Sequence, residues 1–159
     1  MTETFHIRKA GPEDAAGILQ CLQEAFAPYR DSYTAAGFAE TVLTKQTLCR
    51  RLQHMTVLVA VGEMDEIIGT IAYKVDEDGD GHIRGMAVLL QWHGSGVADR
   101  LLDQAECDLR GLGCRAVRLE TARALQRAIR FYEKKGFQAT GEASSFFGMD
   151  LICYCKQTR

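Results

Sequence analysis

"HIRGMAVLLQWHGSGVADRLLDQAE", residues 82–106, decides how the rest of the chain is read. It opens as a β-rich run over 82–90, passes through Gly94 and Gly96, and continues with apolar residues at helical spacing. Val97, Ala98, Leu101, Leu102, Ala105, Leu109 and Leu112 share one face of a helix expected over 97–112, with charged residues on the others. Gly111 and Gly113 close it. "AVRLET" then reads as a strand over 116–121. Strand, helix and strand make a βαβ unit, whose two strands run parallel. The glycine junction is also a natural anion cradle, because a helix's first turn carries about four unpaired N–H groups that glycines let a phosphate reach. No lysine or arginine lies in 91–98, so backbone donors would have to hold the ligand. A helix terminus contributes only ~0.3–1 kcal/mol, so several charge-assisted hydrogen bonds are needed as well. On this stretch alone, a ligand site and an empty tight turn weigh equally.

Working outward, "FHIRKA" is a short opening strand, and Pro12 with two acids starts a helix that Pro28 ends. Helical stretches are expected at 38–43 and 45–53. Residues 56–61 and 67–75 are strands joined as a hairpin through "GEMDE". A helix is expected over 125–135, with final strands at 137–142 and 147–156. Hairpins give antiparallel neighbours and the βαβ unit a parallel pair, so the sheet is mixed.

The 159 residues, 47% hydrophobic and 25% charged, suit one core and one domain over 1–159. A net charge of −2 argues against nucleic-acid partners. No signal peptide or bilayer-spanning run is evident, so no membrane partner and a cytoplasmic location are expected. The six cysteines are expected to be reduced and mostly buried, with no metal or redox site. Asp76, Asp78, Asp80 and Gly81 imitate an EF-hand opening, but its twelfth position is Ala87, which leaves a solvated acidic turn.

Residues 81–106 followed by "LETARALQRAIRFYEKKGFQATGE" (119–142) resemble the GNAT N-acyltransferase superfamily. The resemblance rests on a Q/R-x-x-G-x-G/A loop, here His93-Gly94-Ser95-Gly96-Val97-Ala98, and on an A-I-x-x-Y helix with a following G-F. The latter are Ala128, Ile129 and Tyr132, then Gly136-Phe137. Element order agrees from residue 5 to the end. Three positions depart from the pattern: His93 stands where Gln or Arg is usual, Leu90 replaces the common Pro, and Leu125 a frequent Asn. The fold implied is α/β (α+β), a mixed, mostly antiparallel sheet with a central parallel pair and flanking helices.

The resemblance further implies acetyl-CoA, or a related acyl-CoA, as co-substrate and no metal. The pyrophosphate would lie on the amides of residues 94–98, and the pantetheine would pair with Met86, Ala87 and Val88. The backbone N–H near Val88 would polarise the thioester carbonyl, and Gly85 would mark a bulge that splays the parallel strands. Arg130 or Lys134 would reach the outer phosphate. Tyr132 would protonate the departing thiolate, although by the helical wheel it sits in the apolar stripe of Leu125, Ala128 and Ile129, where tyrosines are usually core. Histidine is the side chain that titrates near neutrality. His82 is therefore the first candidate base, with Glu120 second. The acceptor is expected to be a small-molecule or protein amine, in a pocket shaped by residues 27–54. Tyr29 and Tyr33 are its candidate substrate contacts, and Arg30, Asp31 and Phe38 further candidates. Ser144–Met149 ("SSFFGM") is open to a homodimer interface or a pocket wall. Beside the enzyme stand a non-catalytic acyl-CoA-binding module and, as a weaker reading, a purely structural partner.

Overall fold

The computed structural model describes residues 4–158. Seven strands form one sheet: β1 (Phe5–Lys9), β2 (Thr56–Gly62), β3 (Ile67–Val75), β4 (Gly81–Val88), β5 (Ala116–Ala122), β6 (Gln138–Phe146) and β7 (Met149–Gln157). Their spatial order is β1-β2-β3-β4-β5-β7-β6. Every neighbouring pair is antiparallel except β4 and β5. This is the mixed sheet with a central parallel pair that the sequence requires. The parallel pair arises because α4 (Val97–Gly111) carries the chain back over the sheet between them.

Residues 57–62 of β2 and 68–73 of β3 are buried without alternation. Successive side chains of a strand point to opposite faces, so helices must cover both faces here. On one face lies α4, whose Val97 and Leu101 pack on Gly69 and whose Asp108 accepts a hydrogen bond of 2.6 Å from the Tyr73 hydroxyl. The other layer contains α1 (Ala15–Phe26) and α3 (Lys45–His54), which pack on each other and on β2 to β4. Leu109 of α4 is fully buried, with its methyls filling the space above Gly81. Leu109→Ala is expected to cost about 2–5 kcal/mol, because the rigid sheet beneath cannot collapse into the cavity. A urea denaturation series would measure it.

Boundaries differ from expectation for local reasons. Strand β4 ends at Val88 rather than 90, and Leu90–Trp92 form a single 3-10 turn. The first helix is preceded by a 3-10 turn, Pro12–Asp14, where the Asp14 carboxylate takes the Gly11 amide and both Arg8 nitrogens at 2.8 Å. After Phe26 a 3-10 segment, Ala27–Ser32, accommodates Pro28. Helix α2 (Ala35–Val42) starts earlier than expected, because Thr34 caps it by accepting from the Gly37 amide. Leu43, at φ 66°, breaks the chain before α3. Helix α5 spans Gln126–Lys134.

Two side-chain expectations are corrected. All six cysteines are free, but only Cys21 and Cys114 are buried; Cys49 and Cys107 are exposed, and Cys153 and Cys155 lie between. The acidic turn is not simply solvated: Asp76 pairs with Arg118 and with Lys74 at 3.5 Å, and its side chain is only 16% exposed. No helix among the described residues is long and apolar enough to cross a membrane.

Candidate functional site

Strands β4 and β5 pair only at Gly81 with Val117 and His82 with Arg118; beyond His82 they part. The cause is visible in β4. Opposite β3, Thr70 pairs with Ala87 and Ala72 with Arg84, so β4 holds one residue too many at this point. Gly85 sits in the excess at φ 62°, a left-handed conformation that favours glycine. A bulge re-aims the strand, and the fork it opens becomes a cleft of about 1180 Å3.

The cleft has two ends, one at the glycine turn before α4 and one beside α2, α3 and the β6–β7 tip. At the first, Gly94 (φ 81°) and Gly96 (φ 92°) turn the chain into α4, and a side chain at either would meet nothing within 4 Å. The first bond of α4 runs from the Arg100 amide to the Gly96 carbonyl, so the amides of Val97, Ala98 and Asp99 find no acceptor in the helix. Ser95 departs from the expected cradle. Its amide donates to Trp92 O at 3.3 Å and its hydroxyl bonds the same carbonyl, so Ser95 shapes the turn instead of facing a ligand. His93 bonds the Val88 carbonyl at 3.1 Å through Nε2, which must carry the proton, and its Nδ1 is buried without a partner. It ties the loop to the end of β4. Arg127, Arg130 and Lys134 of α5 line the same cleft.

Tyr132 belongs both to the core and to the cleft wall. Its ring is 6% exposed and packs edge-on against Phe131 and Phe137, with centroids 5.4 and 5.8 Å away, yet it also lines the cleft. Burial drives its pKa upward, which keeps the hydroxyl protonated at neutral pH. Leu125 precedes α5 without capping it and contributes apolar wall.

His82 and Glu120 form a pair at the fork. His82 Nε2 lies 2.8 Å from Glu120 Oε2, and its Nδ1 lies 3.7 Å from Asp76. Glu120 lines the cleft, whereas His82 sits behind it. Burial raises the Glu120 pKa, but the His82 hydrogen bond and the charges of His82, Arg84 and Arg118 outweigh it and hold the carboxyl below its usual range.

The second end is lined by Tyr29 and Tyr33, by Glu40 and Thr41 of α2, by Arg51 of α3, and by the hairpin tip Ser144–Phe147. The Thr34 hydroxyl donates to the Phe147 carbonyl at 2.7 Å, which fixes that tip over the start of α2. "SSFFGM" is thus in large part pocket wall. Of the further acceptor candidates, Phe38 is core, Arg30 stacks over its ring at 4.4 Å, and Asp31 is exposed. Arg51 and Glu40 lie within the 27–54 segment expected to shape the pocket, but sequence patterning singles out neither as a pocket residue. For Arg51 it shows only that Leu48, Arg51 and Leu52 share one helical face, which puts a cation in a buried stripe.

The profile of the Acetyltransferase (GNAT) family matches residues 18–137, a span that includes the forked strands, the glycine turn and α5. The chain belongs to the GNAT acetyltransferase family. Structural similarity agrees with this GNAT assignment. A GNAT-family acetyltransferase of Staphylococcus aureus superposes with a TM-score of 0.81 at 15% identity, covering 98% of this chain and all of that one. The paia N-acetyltransferase of Thermoplasma acidophilum, solved in complex with coenzyme A, gives 0.81 at 21% identity over 97% and 99% of the two chains. Ard1 of Thermoplasma volcanium gives 0.79 at 20% identity over 98% of each. At these identities the similarity concerns the fold. In sequence, the uncharacterized protein YdhI of Bacillus subtilis is 34% identical over 88 residues, 55% of this chain, and the match spans about half of YdhI's own length (53%).

Proposed function

We propose that this protein transfers an acetyl group from acetyl-CoA to a primary amine by direct attack on the thioester. The observation that carries the reading is the fork itself. Past His82 the inner edge of β4 has no partner on β5, so between Met86 and Val88 that edge, apart from the Val88 carbonyl that His93 takes, is open to an extended ligand arm. That edge leads directly to the open left-handed glycines and free amides of the α4 turn, which suit a pyrophosphate. Gly94, Gly96, Val97 and Ala98 form the cradle, and Arg130 and Lys134 supply charge at its rim.

In this scheme the amine nitrogen forms its bond to the acetyl carbon as the carbon–sulfur bond breaks. Tyr132 gives its proton to the sulfur. Glu120, ionised and facing the cleft, holds the incoming ammonium. A carboxylate held below its usual range is too weak a base to deprotonate an amine of pKa near ~10.4 outright. Proton removal therefore runs through water, with Glu120 positioning the amine and His82 behind it fixing the carboxylate.

Calorimetry with acetyl-CoA, followed by release of free thiol over a panel of amines, tests the proposal. Micromolar binding and amine-dependent thiol release are expected. Binding with no thiol release from any amine would make the protein an acyl-CoA-binding module, and no binding at all would remove the cofactor.

A further inference from the structure

The end of the cleft beside α2 and α3 holds two arginines, Arg51 and Arg84. Arg51, in the last turn of α3, reaches across to β4: its Nη1 lies 2.5 Å from where a side chain on Gly85 would begin. The missing side chain at the bulge is what gives the guanidinium its place. Arg84, the residue before the bulge, opens onto the same space. Neither forms an ion pair with any carboxylate among the described residues. Burial, and then the like charge of Arg84, lower the Arg51 pKa to about 10, with Glu40 opposing them. Arg84 is exposed, so the cost of a desolvated cation without a paired anion falls on Arg51, whose fork of donors is shaped for a carboxylate or phosphate.

Arg51 comes from α3, a different element from the α4 turn and the cations of α5, and Glu40 of α2 is near enough for its charge to act on it. Glu120 stands close enough to Arg84 for the two charges to interact. Two arginines and two glutamates therefore ring the place where an acceptor would sit. Their charges cancel overall but are arranged with both signs.

Resting on the transferase reading above, we propose that the acceptor is a zwitterionic amine, a primary amine that also carries a carboxylate. The carboxylate binds to Arg51 and Arg84 while the ammonium is held at Glu120. A ring of zero net charge favours a neutral zwitterion over a dianionic phosphate, and it disfavours simple alkylamines, which would leave the desolvated Arg51 unpaired.

Initial rates of thiol release are to be compared across amino acids, the corresponding amino acid amides, the decarboxylated amines and phosphoethanolamine. The best amino acid is expected to exceed its amide and its decarboxylated amine by roughly 10- to 100-fold in kcat/KM, carried by KM. Arg51→Gln is expected to reduce that preference to near unity while acetyl-CoA affinity stays unchanged. Calorimetry adds a readout that needs no turnover. With CoA present, the N-acetyl amino acid is expected to bind wild-type protein at least about tenfold more tightly than its amide, and Arg51→Gln to abolish the difference.

Equal rates for amino acids and amides, a preference for phosphoethanolamine, or an Arg51→Gln variant that keeps the preference would each overturn the proposal. A preference for the N-acetyl amino acid with no turnover of any amine would uphold carboxylate recognition and sink the transferase reading instead.

Discussion

Tyr132→Phe is expected to lower kcat by about 10²- to 10⁴-fold, the span that a positioned general acid contributes. The replacement removes one oxygen and keeps the ring, so packing against Phe131 and Phe137 survives. Burial holds the phenol protonated, so at neutral pH it acts as a proton donor and not as a base. The same burial makes it a weaker acid than free tyrosine, and weaker than a thiol of pKa near ~8.5, so the proton moves in concert with carbon–sulfur cleavage and not to a finished thiolate. Affinity for acetyl-CoA should change by less than about twofold, because the proton is transferred only as the carbon–sulfur bond breaks. Steady-state kinetics with calorimetry on the same variant separates the two effects. An unchanged kcat would return Tyr132 to the core.

Gly96→Asp is expected to weaken acetyl-CoA binding by about 10²-fold or more, since it sets a carboxylate where the pyrophosphate would lie. Gly96 is the N-cap of α4 at φ 92°, and open space surrounds the position a side chain would take. Aspartate tolerates left-handed backbone better than most residues and is a favoured N-cap, so the fold should persist at a cost of roughly 1–2 kcal/mol. Gly96→Ala carries the strain without the charge. A titration in which Ala retains most affinity and Asp does not identifies the loop as an anion site. Equal affinities in both would move the pyrophosphate elsewhere.

Much of this was legible along the chain because it rests on local periodicity. The run 82–106 states its own strand, turn and helix, and a single helix of that length is a crossover that returns the chain to the starting end of the sheet, which sets the next strand parallel. Gly85 inside a strand marked the bulge that the register between β3 and β4 shows. Element ends were less legible. A threonine hydroxyl capping α2, or a 3-10 turn after Val88, depends on one hydrogen bond that hydropathy does not record.

What sequence by itself determined, then, is the fold, the glycine turn and the tyrosine helix, since each is encoded within a few turns of chain. Only the tertiary structure decided how charges meet across the cleft. His82 comes behind Glu120 because β4 and β5 stay paired up to that residue, although 38 positions separate the two side chains. Arg51 reaches Gly85 from a helix on another layer of the molecule. Electrostatic partnership depends on distance in space and on exclusion of water, and neither is a property of the linear chain.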